Sequence, residues 1–165
     1  MSKTVENLKT AFAGESQANR KYLAFAEKAE KEGKPGVAKL FRAAAAAETI
    51  HAHAHLRLLK GVGTTEENLK AAIEGETFEF ESMYPEMIEE AKAEGENAVH
   101  RYFNFANEAE KIHAKLYTEA LEADTDKFAE AEFYICSVCG HTQDGAPTEK
   151  CPICNAPEKA YSKVD

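Results

Sequence analysis

Apolar residues recur at intervals of three and four along most of the chain, a period that predicts helices. From Thr4 to Glu32 one stripe runs through Leu8, Ala11, Phe12, Glu15, Asn19, Tyr22 and Ala26, and Gly33-Lys34-Pro35-Gly36 breaks it. A second helix is predicted from about Val37 to Lys60, with Leu40, Phe41, Ala44, Glu48, His51 and His55 on its inner face. Gly61-Val62-Gly63 ends it, and Thr64 with Glu67 makes a capping box for a third helix. That helix carries Leu69, Ala72, Ile73, Glu76, Glu79, Phe80 and Met83 toward Tyr84-Pro85, where the proline must bend it or force a local rearrangement. Gly95 closes it. A fourth helix, about Asn97 to Ala123, turns Phe103, Ala106, Glu110, His113, Tyr117 and Leu121 inward. After Asp124-Thr125-Asp126-Lys127 the period changes: Phe133-Tyr134-Ile135 reads as a strand, and a loop-rich tail follows.

The inner stripes carry acids, and these are the informative residues. Glu48-Thr49-Ile50-His51 and Glu110-Lys111-Ile112-His113 are the same Glu-x-x-His pattern. Residues three apart share a helix face, so each pair aims a carboxylate and an imidazole at one point. A buried carboxylate is costly unless it is paired or bound to metal. Two such pairs, with a lone Glu on each of two other helices, are the ligand set of a carboxylate-bridged two-metal site in a four-helix bundle. The lone acids are Glu15 and Glu76. The two halves repeat: Gly14-Glu15-Ser16 matches Gly75-Glu76-Thr77, and Glu32-Gly33 matches Glu94-Gly95. Glu79 breaks the symmetry, since its counterpart is Ala18, and it is read as an extra ligand that makes the two metals inequivalent. His53 and His100 lie outside the ligand set, and His55 is core or a supporting group. Tyr117 is read as packing, and the acids from Glu86 to Glu96 as a solvated face.

All four cysteines lie in the tail, as Cys136-Ser137-Val138-Cys139 and Cys151-Pro152-Ile153-Cys154. Two such knuckles make a tetrahedral four-cysteine site that suits iron or zinc. His141, just past the first knuckle, is read as a surface residue screening sulfur. Paired C-x-x-C spacing in a chain with no signal peptide points to metal and to the cytoplasm. The net charge of −9 argues against nucleic acid or an anionic membrane surface as partner. No apolar run approaches the roughly 20 residues of a membrane span.

These motifs together resemble the rubrerythrin family. The likeness runs from Ala11-Phe12-Ala13-Gly14-Glu15-Ser16 through Glu48-x-x-His51, Gly75-Glu76-x-x-Glu79 with Met83-Tyr84-Pro85, and Glu110-x-x-His113, to both knuckles. It implies an all-α ferritin-like four-helix bundle over residues 1–130 and a small rubredoxin-like β/loop metal domain over 131–165. It implies two non-haem irons in the bundle and one iron, or zinc as substitute, in the four-cysteine site. By resemblance Glu48 and Glu110 bridge the irons, Glu15 and Glu79 serve one, and Glu76 and His113 serve the other. His51 and Glu79 are the alternatives between which the first iron moves, and Tyr22 and Tyr84 match tyrosines beside the site. The implied activity is two-electron reduction of hydrogen peroxide to water, with electrons from a rubredoxin or an NAD(P)H-dependent reductase. Ferritin-like iron oxidation and handling is the alternative.

The ferritin-like arrangement makes the second and third helices parallel, so the chain must return along the bundle between them. Counting from Glu48 to the helix end and from the next helix start to Glu76, the return is roughly 34 Å at 1.5 Å per residue. A linker from Gly61 to Thr64 reaches at most about 14–18 Å. Either residues 65–74 are extended or the second helix pair joins another protomer; the pattern Leu69, Ala72, Ile73, Glu76 favours helix, so the expectation is a homodimer that exchanges helix pairs, each site taking Glu15, Glu48 and His51 from one chain and the rest from its partner.

Overall fold

The computed structural model describes residues 2–123 and 126–164. Asp124 and Thr125, where the composition changes, lie outside the described residues. The chain divides into two compact units, Met1–Gly63 and Thr64–Asp165.

The first unit is a helix hairpin, α1 (Lys3–Lys31) and α2 (Pro35–Leu58). Ser2 caps α1 by accepting from the Val5 N–H, and Pro35 opens α2 two residues earlier than the sequence predicts. Gly33, at φ 69°, makes the turn between them. Ala26, Ala29, Ala38, Ala45 and Ala52 are buried in this unit, so small side chains let the helices pack closely. Asn19 is buried too, and its Nδ2 donates at 2.8 Å to the Ala45 carbonyl and at 2.8 Å to the Thr49 hydroxyl. That satisfies a polar group on an otherwise apolar stripe. Leu40, placed inward by the sequence period, is 68 % exposed. A single hairpin has one open face, and Leu40 lies on it.

The second unit begins with α3 (Thr65–Phe78), α4 (Tyr84–Ala93) and α5 (Asn97–Glu122). The Thr64–Glu67 capping box forms: Thr64 N–H donates to Glu67 Oε2 at 2.7 Å, and Glu67 N–H donates to Thr64 Oγ1 at 3.2 Å. Between α3 and α4, Glu79–Met83 is a turn of π-helix in which the Tyr84 N–H reaches back to the Glu79 carbonyl. A π turn absorbs one extra residue without ending the helix. The interval from Glu76 to Glu110 is one residue longer than that from Glu15 to Glu48, and the π turn takes up the difference. This is the rearrangement expected ahead of Pro85, which has no N–H to donate. Gly95, at φ 75°, turns the chain as Gly33 does. Ala91, Ala106, Ala109 and Ala114 are buried, while Tyr117, expected to pack, is exposed.

The same unit ends in an antiparallel sheet of order β2-β1-β3, from β1 (Phe133–Cys136), β2 (Thr142–Asp144) and β3 (Tyr161–Lys163). Its register sets Ile135 opposite Thr142 and Cys136 opposite Tyr161. Among the described residues no helix is long and apolar enough to cross a membrane.

Candidate metal centres

Among the described residues three clusters of metal-binding side chains stand out, two on helices and one in the tail. Within each, one ligand atom per residue lies within 4.8 Å of the others.

On the first hairpin the cluster is Glu15, Glu48 and His51. His51 Nδ1 lies 3.0 Å from Glu48 Oε2 and 4.0 Å from Glu15 Oε1. The three-residue spacing in α2 stacks Glu48 under His51, and α1 brings Glu15 across. The hydrogen bond between the two carboxyls raises the pKa of Glu15, which holds the proton, and lowers that of Glu48, which accepts it. His55, one turn beyond His51, buries an Nδ1 without a hydrogen-bond partner. Tyr22 stacks among Phe25 and Phe41, with ring centroids 6.3 and 6.2 Å away.

The second unit repeats the arrangement with Glu76, Glu110 and His113. His113 Nδ1 lies 2.7 Å from Glu110 Oε2 and 3.8 Å from Glu76 Oε2. Burial, followed by the hydrogen bond to Glu110, pushes the Glu76 carboxyl up to about 7. Burial and then the Glu110 charge raise Glu79 as well, so its carboxylate feels the same cluster from the π turn. The Tyr84 phenol is raised by burial, then by Glu110 and Glu79, so it stays protonated beside them. An apolar cavity of about 600 Å³, bordered by Leu69, Leu116, Tyr117 and Phe133, opens onto Glu76 and His113.

One contact was not read from the sequence. The far nitrogen of His113, Nε2, lies 3.2 Å from the Gly140 carbonyl and 3.1 Å from Thr142 Oγ1, whose own hydroxyl donates to that carbonyl. A carbonyl only accepts, so Nε2 carries a proton, and a ring that holds a single proton presents its lone pair at Nδ1. That lone pair faces a carboxylate oxygen at 2.7 Å. Two acceptors at that distance need a proton or a cation, and the donor set fits a metal ion.

The tail holds the third cluster. Cys136 Sγ and Cys154 Sγ are 3.7 Å apart, and Cys139 Sγ and Cys151 Sγ 3.5 Å. A tetrahedral ion with metal–sulfur bonds of about 2.3 Å would hold its sulfurs about 3.8 Å apart. The thiols are free, not disulfide-linked. Gly140 (φ 80°) and Asn155 (φ 64°) follow the second cysteine of each knuckle in the left-handed region, so the two knuckles are near copies. Burial raises Cys139. Burial also pushes Cys151 up, but the Cys154 N–H, the Tyr161 hydroxyl and the Ile153 N–H outweigh it and bring the thiol down to about 6. His141 is a correction to the sequence reading: it is 7 % exposed, not on the surface. The Cys136 N–H donates to its carbonyl at 2.9 Å, and its ring meets Tyr161 edge-on.

The raised Glu76 carboxyl predicts how the metal-free protein responds to pH. A group that binds its proton more tightly folded than unfolded stabilises fully below its unfolded value of 4.5, and that contribution is lost as pH rises through about 7. The side chain is 21 % exposed, so the effect is not screened away. The lowered acids Glu48 and Glu67 are ionised in both states across this window and do not contribute. His141, lowered chiefly by burial, works in the opposite direction but is common to parent and variant. Between pH 5 and 8 the metal-free parent should lose on the order of 3 kcal/mol relative to Glu76→Gln, roughly 5–10 °C in Tm. Calorimetry of both proteins across that range checks it, and parallel curves would refute it.

Helical hairpins with carboxylate–histidine half-sites, joined to a four-cysteine knuckle domain, define a class of non-haem metalloproteins. The Rubrerythrin family model matches residues 6–121, and the model of the rubrerythrin rubredoxin-like domain matches residues 134–162. Rubrerythrin-2 of Clostridium acetobutylicum is 37 % identical, over 96 % of this chain and 95 % of its own. Nigerythrin of Nitratidesulfovibrio vulgaris is 36 % identical, over 96 % of this chain and 85 % of its own. A solved structure described as the fully reduced, all-ferrous state of nigerythrin superposes with a TM-score of 0.58 at 35 % identity, covering 99 % of this chain and 88 % of that one. The chain belongs to the rubrerythrin family. Its fold class is the expected one, ferritin-like helices with a small rubredoxin-like β/loop domain, and its donor sets suit two non-haem irons in the helical part and one iron on the cysteines.

Proposed function

We propose that this chain reduces hydrogen peroxide to water at a two-iron centre built from both half-sites, with electrons entering through the four-cysteine iron. The observation that carries the reading is the hydrogen bond from His113 Nε2–H to the Gly140 carbonyl, 3.2 Å. Gly140 directly follows Cys139, so one short stretch of backbone and one hydrogen bond connect the sulfur donors to a half-site ligand. A storage protein has no need of such a link. When bound, two ferrous ions supply the two electrons that, with two protons, convert peroxide to two waters.

The chain's own residues prepare that reaction. Glu48 and Glu110 are assigned as bridges, Glu15 and Glu79 as ligands to one metal, and Glu76 and His113 as ligands to the other. His51 and Glu79 are assigned as the alternating pair. Thr142 and Gly140 hold His113 in one tautomer, and among the described residues no loop carbonyl or hydroxyl is seen to hold His51, whose side chain is 55 % exposed. That asymmetry suits a fixed metal at His113 and a movable one at His51. Tyr84 keeps its phenolic proton and can donate it in a hydrogen bond beside the carboxylates. Tyr22 is assigned as its counterpart in the first half.

The working unit is assigned as a homodimer with exchanged helix pairs. Leu40, His51 and Leu58 fall on one stripe of α2 and are 68 %, 55 % and 68 % exposed. An exposed apolar stripe that includes a ligand calls for a covering surface. In a ferritin-like bundle with α2 ending at Leu58 and α3 starting at Thr65, the return to the level of Glu76 within one chain would be about 32 Å, against about 20–22 Å for the six linking residues. The division of roles falls near residue 130, with 1–130 the catalytic bundle and 131–165 the electron-entry domain. A rubredoxin or an NAD(P)H-dependent reductase is assigned as donor, and the reduced cysteines suit a cytoplasmic setting.

Stopped-flow mixing of the fully reduced protein with peroxide and with dioxygen tests the activity. Peroxide should react at least about tenfold faster, a barrier difference of about 1.4 kcal/mol. Equal rates would point to ferritin-like iron oxidation instead.

A further inference from the structure

We propose that the apolar cavity beside Glu76 and His113 seats the tail of a neutral alkyl or aryl hydroperoxide, so that this chain reduces organic hydroperoxides as well as hydrogen peroxide. The cavity measures about 600 Å³ and opens onto two of the assigned metal ligands. Hydrogen peroxide needs almost none of that space. Pockets for small organic ligands span about 300–1,000 Å³ and are apolar, with a few polar groups gathered where orientation is set. The same division holds here. Glu76, His113 and the Thr142 hydroxyl stand together, with His113 3.8 Å from Glu76 and 3.1 Å from Thr142, and hydrocarbon lines most of the rest.

Both walls of the cavity come from one chain. Helices α3 and α5 supply Leu69, Leu116 and Ala120, and the tail supplies Phe128, Phe133 and Val164. The Phe128 and Phe133 rings lie 5.3 Å apart at 57°, which makes the tail wall aromatic. Val164 is held there by its N–H, which donates to the Phe133 carbonyl at 2.9 Å. A cleft with two walls differs from the open stripe on α2, which has one wall and calls for a protein partner. Among the described residues no lysine or arginine lines the cavity. A carboxylate or phosphate on the tail would therefore lose its water and gain no partner. A neutral hydrocarbon tail gains by leaving water.

This substrate class rests on the two-iron peroxidase reading, and its atoms and electrons balance in the same way. The hydroperoxide takes up two electrons and two protons, and its O–O bond breaks. One oxygen leaves in the alcohol and the other in water. The electrons are those that two bound ferrous ions supply, and the protons come from solvent. The cavity adds position: contacts along the tail hold the O–O bond at the end where Glu76 and His113 stand.

Stopped-flow mixing of the fully reduced, full-length protein with cumene hydroperoxide and, separately, with hydrogen peroxide tests this. The parent should consume both. Ala120→Phe, on the helix wall, and Val164→Trp, on the tail wall at a residue 45 % exposed, put bulk into the cavity. Each should lower the rate with cumene hydroperoxide, relative to the rate with hydrogen peroxide, at least about tenfold. The ratio corrects for any general damage to the metal site. Independently of turnover, calorimetry on the oxidised parent should show cumyl alcohol, the product, binding with a negative heat-capacity change. Either variant should weaken that binding at least about tenfold. A parent that consumes hydrogen peroxide but not cumene hydroperoxide overturns the cavity's role and leaves the peroxidase reading standing. An unmoved ratio in both variants, or no binding of the alcohol, also overturns it. A parent that consumes neither peroxide overturns the peroxidase reading and the wider substrate range together.

Discussion

Glu110→Ala should strip both irons from the helical site and leave the four-cysteine iron in place. Glu110 Oε2 lies 2.7 Å from His113 Nδ1, and its carboxyl is hydrogen-bonded to Glu76, so it stands at the centre of its half-site. As a bridge it would touch both metals, and alanine removes one oxygen from each. Loss of a group that merely supports a ligand costs about 10–100-fold in affinity, and loss of a bridge should exceed that. Metal analysis with anomalous scattering measures the outcome directly, since it gives element and position together. Retention of one helical iron at parent affinity would show that Glu110 serves a single metal. Glu48→Ala should behave identically, and the pair gives a test of exchange. In a swapped dimer, mixing Glu48→Ala chains with Glu110→Ala chains places both lesions in one site and leaves the other intact. Mixed dimers should then recover half the helical iron. Without exchange every site keeps one lesion and nothing is recovered.

The helical stripes were legible because burial on one face leaves a period that local sequence records. Glu15, Glu48, Glu76 and Glu110 stood out as acids on that face, and the Thr64–Glu67 box as a local signal with a local cause. The π turn was half legible. Pro85 announced a disturbance, and the one-residue surplus between Glu76 and Glu110 was visible, but only the backbone shows that the surplus is taken up inside the helix. Leu40, on a stripe read as inward, is open in the single chain, because periodicity says which face is apolar and not what covers it. His141 was misread for a different reason. Its burial depends on β3 pairing with β1, which brings Tyr161 over the knuckle, and no local pattern encodes that pairing. The His113–Gly140 contact was invisible on the same grounds, since it joins α5 to a loop far along the chain.

Cys136→Ser should spare one turnover and stop the next. Cys136 is 1 % exposed and pairs across the site with Cys154 at 3.7 Å. A serine hydroxyl is a poorer ligand for iron than a thiolate, so the site should lose its chromophore or its reversible one-electron behaviour. The assigned half-site ligands sit on α1, α2, α3, the π turn and α5; α5 meets the cysteine cluster through Phe105, and the His113 bond goes to the Gly140 carbonyl, a main-chain group that the substitution keeps. Chemically pre-reduced Cys136→Ser should therefore consume its first equivalent of peroxide within about twofold of the parent rate, a barrier change under about 0.5 kcal/mol. Continuous turnover with a reductase should fall at least about 100-fold, because each cycle needs two electrons and their entry point is gone. Loss of the buried thiolate also loosens the tail, so a second arm separates folding from electron transfer. Zinc in the four-cysteine site of the parent keeps four thiolates on a tetrahedral ion and carries no electron. It should block continuous turnover as completely as the serine does. If the zinc-loaded parent turned over at the iron-loaded rate, electrons would be reaching the half-sites by another route, and the bond between His113 and Gly140 would be structural only.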